Sequence, residues 1–257
     1  VGGAIQSRGR ELATETQRGV ITPAYERAFA AAGDAPIDLT RTVGAAERAV
    51  GGLGAIMDVS TVPEGVRSVL RLEPGAPAID AAPALSLRDF EIVRQSLNRE
   101  LSAARSAIGK GNTDARARAN NIQSVIRQMD ADLAAAGVPA RAVDELSEAR
   151  RLVQTVQVPK FRTGETGKML TQGTFNMPGT LPSRQVDAFL KSEEGAAQFV
   201  RTFENDPRAL QSMQQGVLDL YRRNIVDPET RVVDPKKAAA FEQKYARQLD
   251  TMEAAGL

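Results

Sequence analysis

LSLRDFEIVRQSLNRELSAARSAIGKG, residues 85–111, places Phe90, Val93, Leu97, Leu101, Ala104 and Ile108 at steps of three and four. That spacing gathers the apolar side chains on one face of a helix with 3.6 residues per turn. Ser86 stands where an N-cap belongs, and Asp89 falls in the first turn, where the helix dipole favours negative charge. GKGN at 109–112 reads as a turn, and beyond it Ala119, Ile122, Ile126, Met129 and Leu133 repeat the spacing as far as Gly137. Two long helices joined by so short a turn pack antiparallel. A third helix, opening near Pro139 with Val143, Leu146, Leu152 or Val153, and Val156 facing inward, would close a three-helix bundle over residues 85–160.

Ahead of that bundle, residues 1–84 are punctuated every dozen or so positions. ITPAYERAFAAAG (21–33) offers Thr22 as N-cap, Pro23 at the first helical position and Gly33 as a stop. LTRTVGAAERAVGG (39–52) and STVPEGVRSVLRLEPG (60–75) repeat the scheme. Helices this short are marginal alone in water, so the sequence predicts an extended N-terminal arm laid on a neighbouring copy. After the bundle, glycines at 164, 167, 173 and 179 with Pro178 and Pro182 predict a linker over 161–182. Residues 183–257 return to helical spacing. Asp206-Pro207 and Asp234-Pro235 mark two helix starts, and Ala238, Phe241, Tyr245, Leu249 and Met252 form one stripe. No strand alternation appears, although TRVVD (230–234) suits a short extended piece. The fold class is all-α, an elongated helical hairpin or three-helix bundle with an arm of short helices and a second C-terminal helical block.

Composition narrows the chemistry. Apolar residues make up 42% of the 257, but only 4% are aromatic and Trp is absent. An alanine-rich core buries little area per residue, so stability should depend on many helix contacts or on neighbouring subunits. With 33 basic and 32 acidic residues the formal charge is +1, which argues against a dedicated nucleic-acid binder. Cysteine and histidine are both absent, which removes disulfides, thiolate and imidazole metal sites, and Ser-His or Cys-His catalytic pairs. A carboxylate-only metal site or a Glu/Asp acid–base pair stays open. No apolar run approaches the roughly 20 residues a membrane-spanning helix needs, and no secretory signal opens the chain. Val1 begins mid-pattern, as expected of a piece of a longer polypeptide or of a chain trimmed at the front.

Three stretches invite a chemical reading. TGETGKMLTQGT (163–174) resembles a phosphate-binding loop. However, Gly164 and Gly167 are only two residues apart where four spacers are needed, and Met169 stands where Ser or Thr is required. It reads instead as a hinge between helical blocks, and AIGKGN (107–112) reads as a hairpin turn for similar reasons. ELSEARRL (145–152) and LQSMQQG (210–216) contain fragments reminiscent of transglycosylase motifs. Yet Glu145 and Glu148 lie on a charged helix face, where Glu near Arg is ordinary. Arg105, Lys110, Arg116 and Arg118 cluster at the hairpin tip. They are of a kind to meet phosphates without sequence preference, although Asp114 among them suits a solvated tip. No catalytic residue, cofactor, metal or small-molecule ligand is expected.

The order of segments carries a resemblance. TPAYERAFAAAGDAPIDL (22–39) is followed by VPEGVRSVLRL (62–72), then by LSLRDFEIVRQSLNRELSAA (85–104) and its partner ARARANNIQSVIRQMDADL (115–133). This layout resembles a recurrent region of large virion proteins of tailed bacteriophages. These are internal-virion or ejection-type proteins, sometimes fused elsewhere to a peptidoglycan-cleaving domain. The shared pattern is a Tyr-containing short helix, then an Asp-aromatic helix carrying Val-basic-x-x-Leu-Asn, here Asp89-Phe90 and Val93-Arg94 to Leu97-Asn98, then a hairpin. FENDPRALQSMQQG (203–216) matches its Asp-Pro-started helical tail. The resemblance implies a non-enzymatic, oligomeric structural protein, packaged in the capsid near the portal and leaving with the genome to help form a conduit across the host envelope. Its implied partners are copies of itself, portal, tail or internal core proteins, and packaged DNA through non-specific contact. Two other readings of the residues stay open: a helical flank of a larger peptidoglycan-degrading or polymerase virion enzyme, and a cellular helical adaptor or scaffold.

Overall fold

The computed structural model describes residues 2–51, 65, 67, 69, 84–171, 184–227 and 230–254. The described residues are helical apart from short turns and one pair of two-residue strands, an all-α fold. Contacts divide the chain into two units, Tyr25–Ser147 on one hand and Val1–Ala24 with Glu148–Leu257 on the other. Most of the short helix expected within 60–75, and the Gly/Pro stretch from 172 to 183, lie outside the described residues.

In the Tyr25–Ser147 unit, helices α4 (Leu87–Gly109) and α5 (Asp114–Ala135) form the hairpin that the spacing predicts. The Ser86 hydroxyl accepts the Asp89 N–H at 3.1 Å, which starts α4. Phe90, Leu97, Leu101 and Ala104 are buried against Ala119, Ile122, Ile126, Met129 and Leu133, with Val93 and Ile108 half-buried beside them. Helix α3 (Thr40–Gly51) packs on α5, burying Ala45 and Ala46 in the same cluster. Side chains this small let the two backbones approach closely. Its N-terminus is tied down by a carboxylate from α5: buried Asp132 accepts the Thr42 N–H at 2.8 Å and the Thr42 hydroxyl at 2.7 Å. Free N–H groups in a first turn need such an acceptor, and the helix dipole favours its charge. Ile37 and Leu39 are fully buried in the cluster. Strand β1 (Ile37–Asp38) pairs antiparallel with β2 (Ala84–Leu85), Ile37 opposite Leu85.

The expected arm is therefore corrected for these residues. Residues 37–49 bury apolar side chains in the same cluster as the hairpin of their own chain, with α3 packed on α5. The third helix also differs. In α6 (Ala140–Leu152) the buried positions are Ala142, Leu146 and Ala149, with Val143 and Leu152 half-buried. Its second half belongs to the other unit, so the expected bundle over 85–160 is cut at Ser147.

The other unit begins with α1 (Gly2–Thr16), which runs through a π-helical turn at Gln17–Ile21 into α2 (Thr22–Ala32). Thr22 is thus no N-cap; it has helical φ and ψ and donates its N–H to the Gln17 carbonyl. The two helices share one unbroken run, and Gly33 closes it at φ 58°. Helix α6 continues as π-helix through Val153–Arg162, burying Gln157 and Phe161. Gln157 donates its amide to Gln17 at 2.6 Å, joining the two π-helical stretches. Then follow α7 (Gly164–Leu170), α8 (Gln185–Leu190), α9 (Glu193–Phe203), α10 (Pro207–Ile225) and α11 (Pro235–Glu253).

Phe189, Phe199 and Phe203 form the centre of this second core, with ring centroids 5.3 and 4.9 Å apart. Phe241 and Met252 of the α11 stripe are buried, and Ala238, Tyr245 and Leu249 pack beside them. Both Asp-Pro starts behave as expected: Asp206 accepts the Ala209 N–H at 2.8 Å and Asp234 the Lys236 N–H at 2.9 Å. Val233 of TRVVD forms a single bridge to Val226.

Candidate functional site

TGETGKMLTQGT proves to be packed structure over its described part. Residues 164–170 are helix α7, with Thr166, Gly167 and Met169 buried. The Gln198 side chain from α9 clamps its start: its Oε1 accepts the Glu165 N–H at 2.6 Å and its Nε2 donates to the Thr163 carbonyl at 2.5 Å. Gly164 has φ 58°, and a Cβ there would overlap the Gln198 amide. Glycine is required here for close approach in a left-handed conformation. The linker expected over 161–182 is therefore corrected for residues 161–171: the backbone groups that would bind a phosphate are held by a glutamine.

The carboxylates considered for catalysis are ion-paired on helix surfaces. Glu145 accepts Arg27 at 3.1 Å, and Glu148 accepts Arg151 at 2.7 Å one helical turn on, which holds the arginine above its ordinary value. Arg8 makes a denser network, donating to Asp206, Glu11 and Glu15. Burial alone would push the Asp206 carboxyl up, but the Ala209 N–H and the Arg8 guanidinium outweigh it and hold it below its ordinary range. A carboxylate kept charged in this way caps a helix and anchors α1; it is not poised to take a proton. A shallow depression lined by Ser7, Arg10, Glu11, Thr14 and Glu15 has one helix as its whole wall, so it cannot enclose a ligand. Among the described residues no group of three carboxylates is close enough to hold a metal ion. No helix among them is long and apolar enough to cross a membrane.

The remaining candidate is the hairpin tip, built by the last turns of α4, the Lys110–Thr113 turn and the first turns of α5. Asn112 accepts the Asp114 and Ala115 N–H groups at 3.1 and 3.3 Å, capping α5, and Gly111 supplies the positive φ the turn requires. Cross-links along the hairpin fix its register: Arg94 with Asp130 at 2.9 Å, Glu100 with Arg118 at 3.5 Å, and Arg105 with Gln123 at 3.3 Å. Arg105 and Arg118 accordingly lie at one level of the hairpin, with Lys110 and Arg116 beyond them. All four are exposed. The structure thus brings the four sequence-nominated cations to one end of one hairpin. Comparison of the chain with protein-family models, with curated proteins and with solved structures gives no match.

Proposed function

We propose that the chain is a structural protein of a tailed-phage virion, an internal, portal-associated ejection component that is packaged in the capsid and helps form the conduit for genome delivery. The observation that carries this reading is the order of segments. The Tyr25 segment, closed at Gly33, is followed by the Asp89-Phe90 helix with Val93-Arg94 and Leu97-Asn98, then by its hairpin partner and an Asp-Pro-started helical tail. The helical architecture supports it, because amphipathic helices are readily added to by helices of other copies. Its partners on this reading are further copies of the chain and portal, tail or internal core proteins, and it performs no catalysis. The test is mass spectrometry of purified virions of the phage that encodes it. Peptides from this chain at a fixed ratio to the portal protein are expected; their absence from intact particles overturns the reading. Clearing of peptidoglycan by the chain alone would also overturn it, in favour of a murein-degrading polypeptide.

A further inference from the structure

Charge is unevenly distributed along the chain. Residues 101–122, at the tip end of the hairpin, hold four cations, Arg105, Lys110, Arg116 and Arg118, against one carboxylate, Asp114. That is a surplus of three in a chain whose net charge is +1, so all other residues together sum to −2. A near-neutral total conceals a basic end.

Elsewhere in the unit some guanidinium groups meet carboxylates, Arg88 with Glu26 at 2.6 Å, Arg27 with Glu145 at 3.1 Å and Arg94 with Asp130 at 2.9 Å, while Arg48, Arg99, Arg127 and Arg141 meet none among the described residues. Towards the tip, Arg105 meets only the neutral amide of Gln123. Arg118 reaches no nearer than 3.5 Å to Glu100, whose other oxygen already accepts the Gly65 N–H. Among the described residues, Lys110 and Arg116 have no carboxylate partner.

Helix electrostatics disfavour one of the four for the fold alone. Arg116 is the third residue of α5, and the positive end of the helix dipole disfavours a cation there, whereas Lys110, at the end of α4, lies where the dipole favours one. A first turn selected only for stability would carry a neutral or acidic residue at 116, as it does with Asp114.

We propose that the hairpin tip docks on the phosphate backbone of duplex DNA without reading its sequence. Three of the four cations are arginines, whose planar fork meets phosphate oxygens bidentately. The side chains exposed between them are small or polar, including Ser106, Asn112, Thr113 and Asn120, which suit phosphate and sugar contacts. None of the large exposed apolar side chains lies at the tip. It therefore lacks the anchors by which a basic surface inserts into lipid or builds a protein hot spot. Two packed helices are about 20 Å across, too broad for a major groove of about 12 Å, so the tip meets the backbone from outside. The inference rests on the charge and geometry of the tip and not on the virion reading.

The test uses the whole chain and two labelled duplexes of unrelated sequence, about 30 base pairs each, followed by anisotropy across a salt series. Saturable binding of both duplexes within about twofold is expected at about 50 mM salt. The slope of log K against log salt should be about −2.7 to −3.6, for three to four neutralised phosphates. Replacing Arg105, Lys110, Arg116 and Arg118 together by Gln should weaken binding by at least about tenfold and bring the slope towards zero. R222Q with R223Q, at the end of α10, should leave both unchanged. The single variant R116E guards against misfolding as an explanation, since it should raise the melting temperature while weakening DNA binding. Absence of binding by the native chain overturns the proposal, as does a quadruple variant that binds normally. Discrimination above about tenfold between the duplexes overturns it too, as does tighter binding to polyglutamate or phosphatidylserine vesicles than to DNA.

Discussion

The Tyr25–Ser147 unit builds its core on alanines and aliphatic side chains. The unit formed by Val1–Ala24 and Glu148–Leu257 builds its core on phenylalanines. In the first, Phe90 is the one fully buried aromatic, and α3 meets α5 through Ala45 and Ala46. In the second, Phe189, Phe199, Phe203 and Phe241 are buried, with Tyr221 and Tyr245 against them. An aromatic core buries much area per residue, and removing one ring leaves a large hole. An alanine seam buries little per residue and gains by proximity, so it has no room for an added side chain. Both cores are supplemented by polar ties: in the first, Asp132 on the first turn of α3 and buried Glu91 accepting the Tyr25 hydroxyl at 3.3 Å; in the second, the Gln198 clamp and the Arg8 network. The two cores should therefore fail in opposite ways.

The largest expected effect is on the aromatic side. Phe199→Ala should cost about 3–5 kcal/mol in urea unfolding followed by circular dichroism; a loss below about 1 kcal/mol would break the contrast. On the alanine side the damaging change is an addition. Ala46→Leu should cost about 2 kcal/mol, whereas a tolerated leucine would mean that α3 can move away from α5 freely. The smallest effect sharpens the account of α7. Gly164→Ala should cost about 1–2 kcal/mol for the left-handed backbone alone, and hydrogen exchange at the Glu165 amide should accelerate as the Gln198 clamp is displaced. Unchanged exchange there would restore the hinge reading.

The same contrast explains what could be read from the residues. The hairpin was legible because Phe90 to Ile108 and Ala119 to Leu133 sit on single-faced stripes with Ser86 ahead and Gly137 behind. Asp206 and Asp234 were legible for the same local reason, a side chain that satisfies its own helix start. Helix α1 was not. Its buried positions are Gly2, Ile5, Gln6 and Gly9, which give no apolar stripe. Gly9 matters as an absence, since a Cβ there would press on Met169, Leu170 and Phe203. Glycine at 164 was misread for a related reason: in sequence a close-approach glycine and a flexible one look alike, and the glutamine that distinguishes them lies 34 positions away. Of the candidate site, the cations and the turn were visible in the sequence. Their shared level on the hairpin depends on register, and only the fold supplies it.

The chain path has a consequence for synthesis. One unit is interrupted by the other, so α1 leaves the ribosome long before α9 and α10, and Arg8 must wait for a partner 198 residues later. At about 5–20 residues per second that delay is on the order of ten to forty seconds. The Tyr25–Ser147 unit can complete its contacts in that interval; α1 cannot. A strongly apolar helix left exposed so long would recruit wrong partners. The plain, charged face of α1, with glycines where other helices carry leucine, is what a segment needs if it is made long before the helices it packs on.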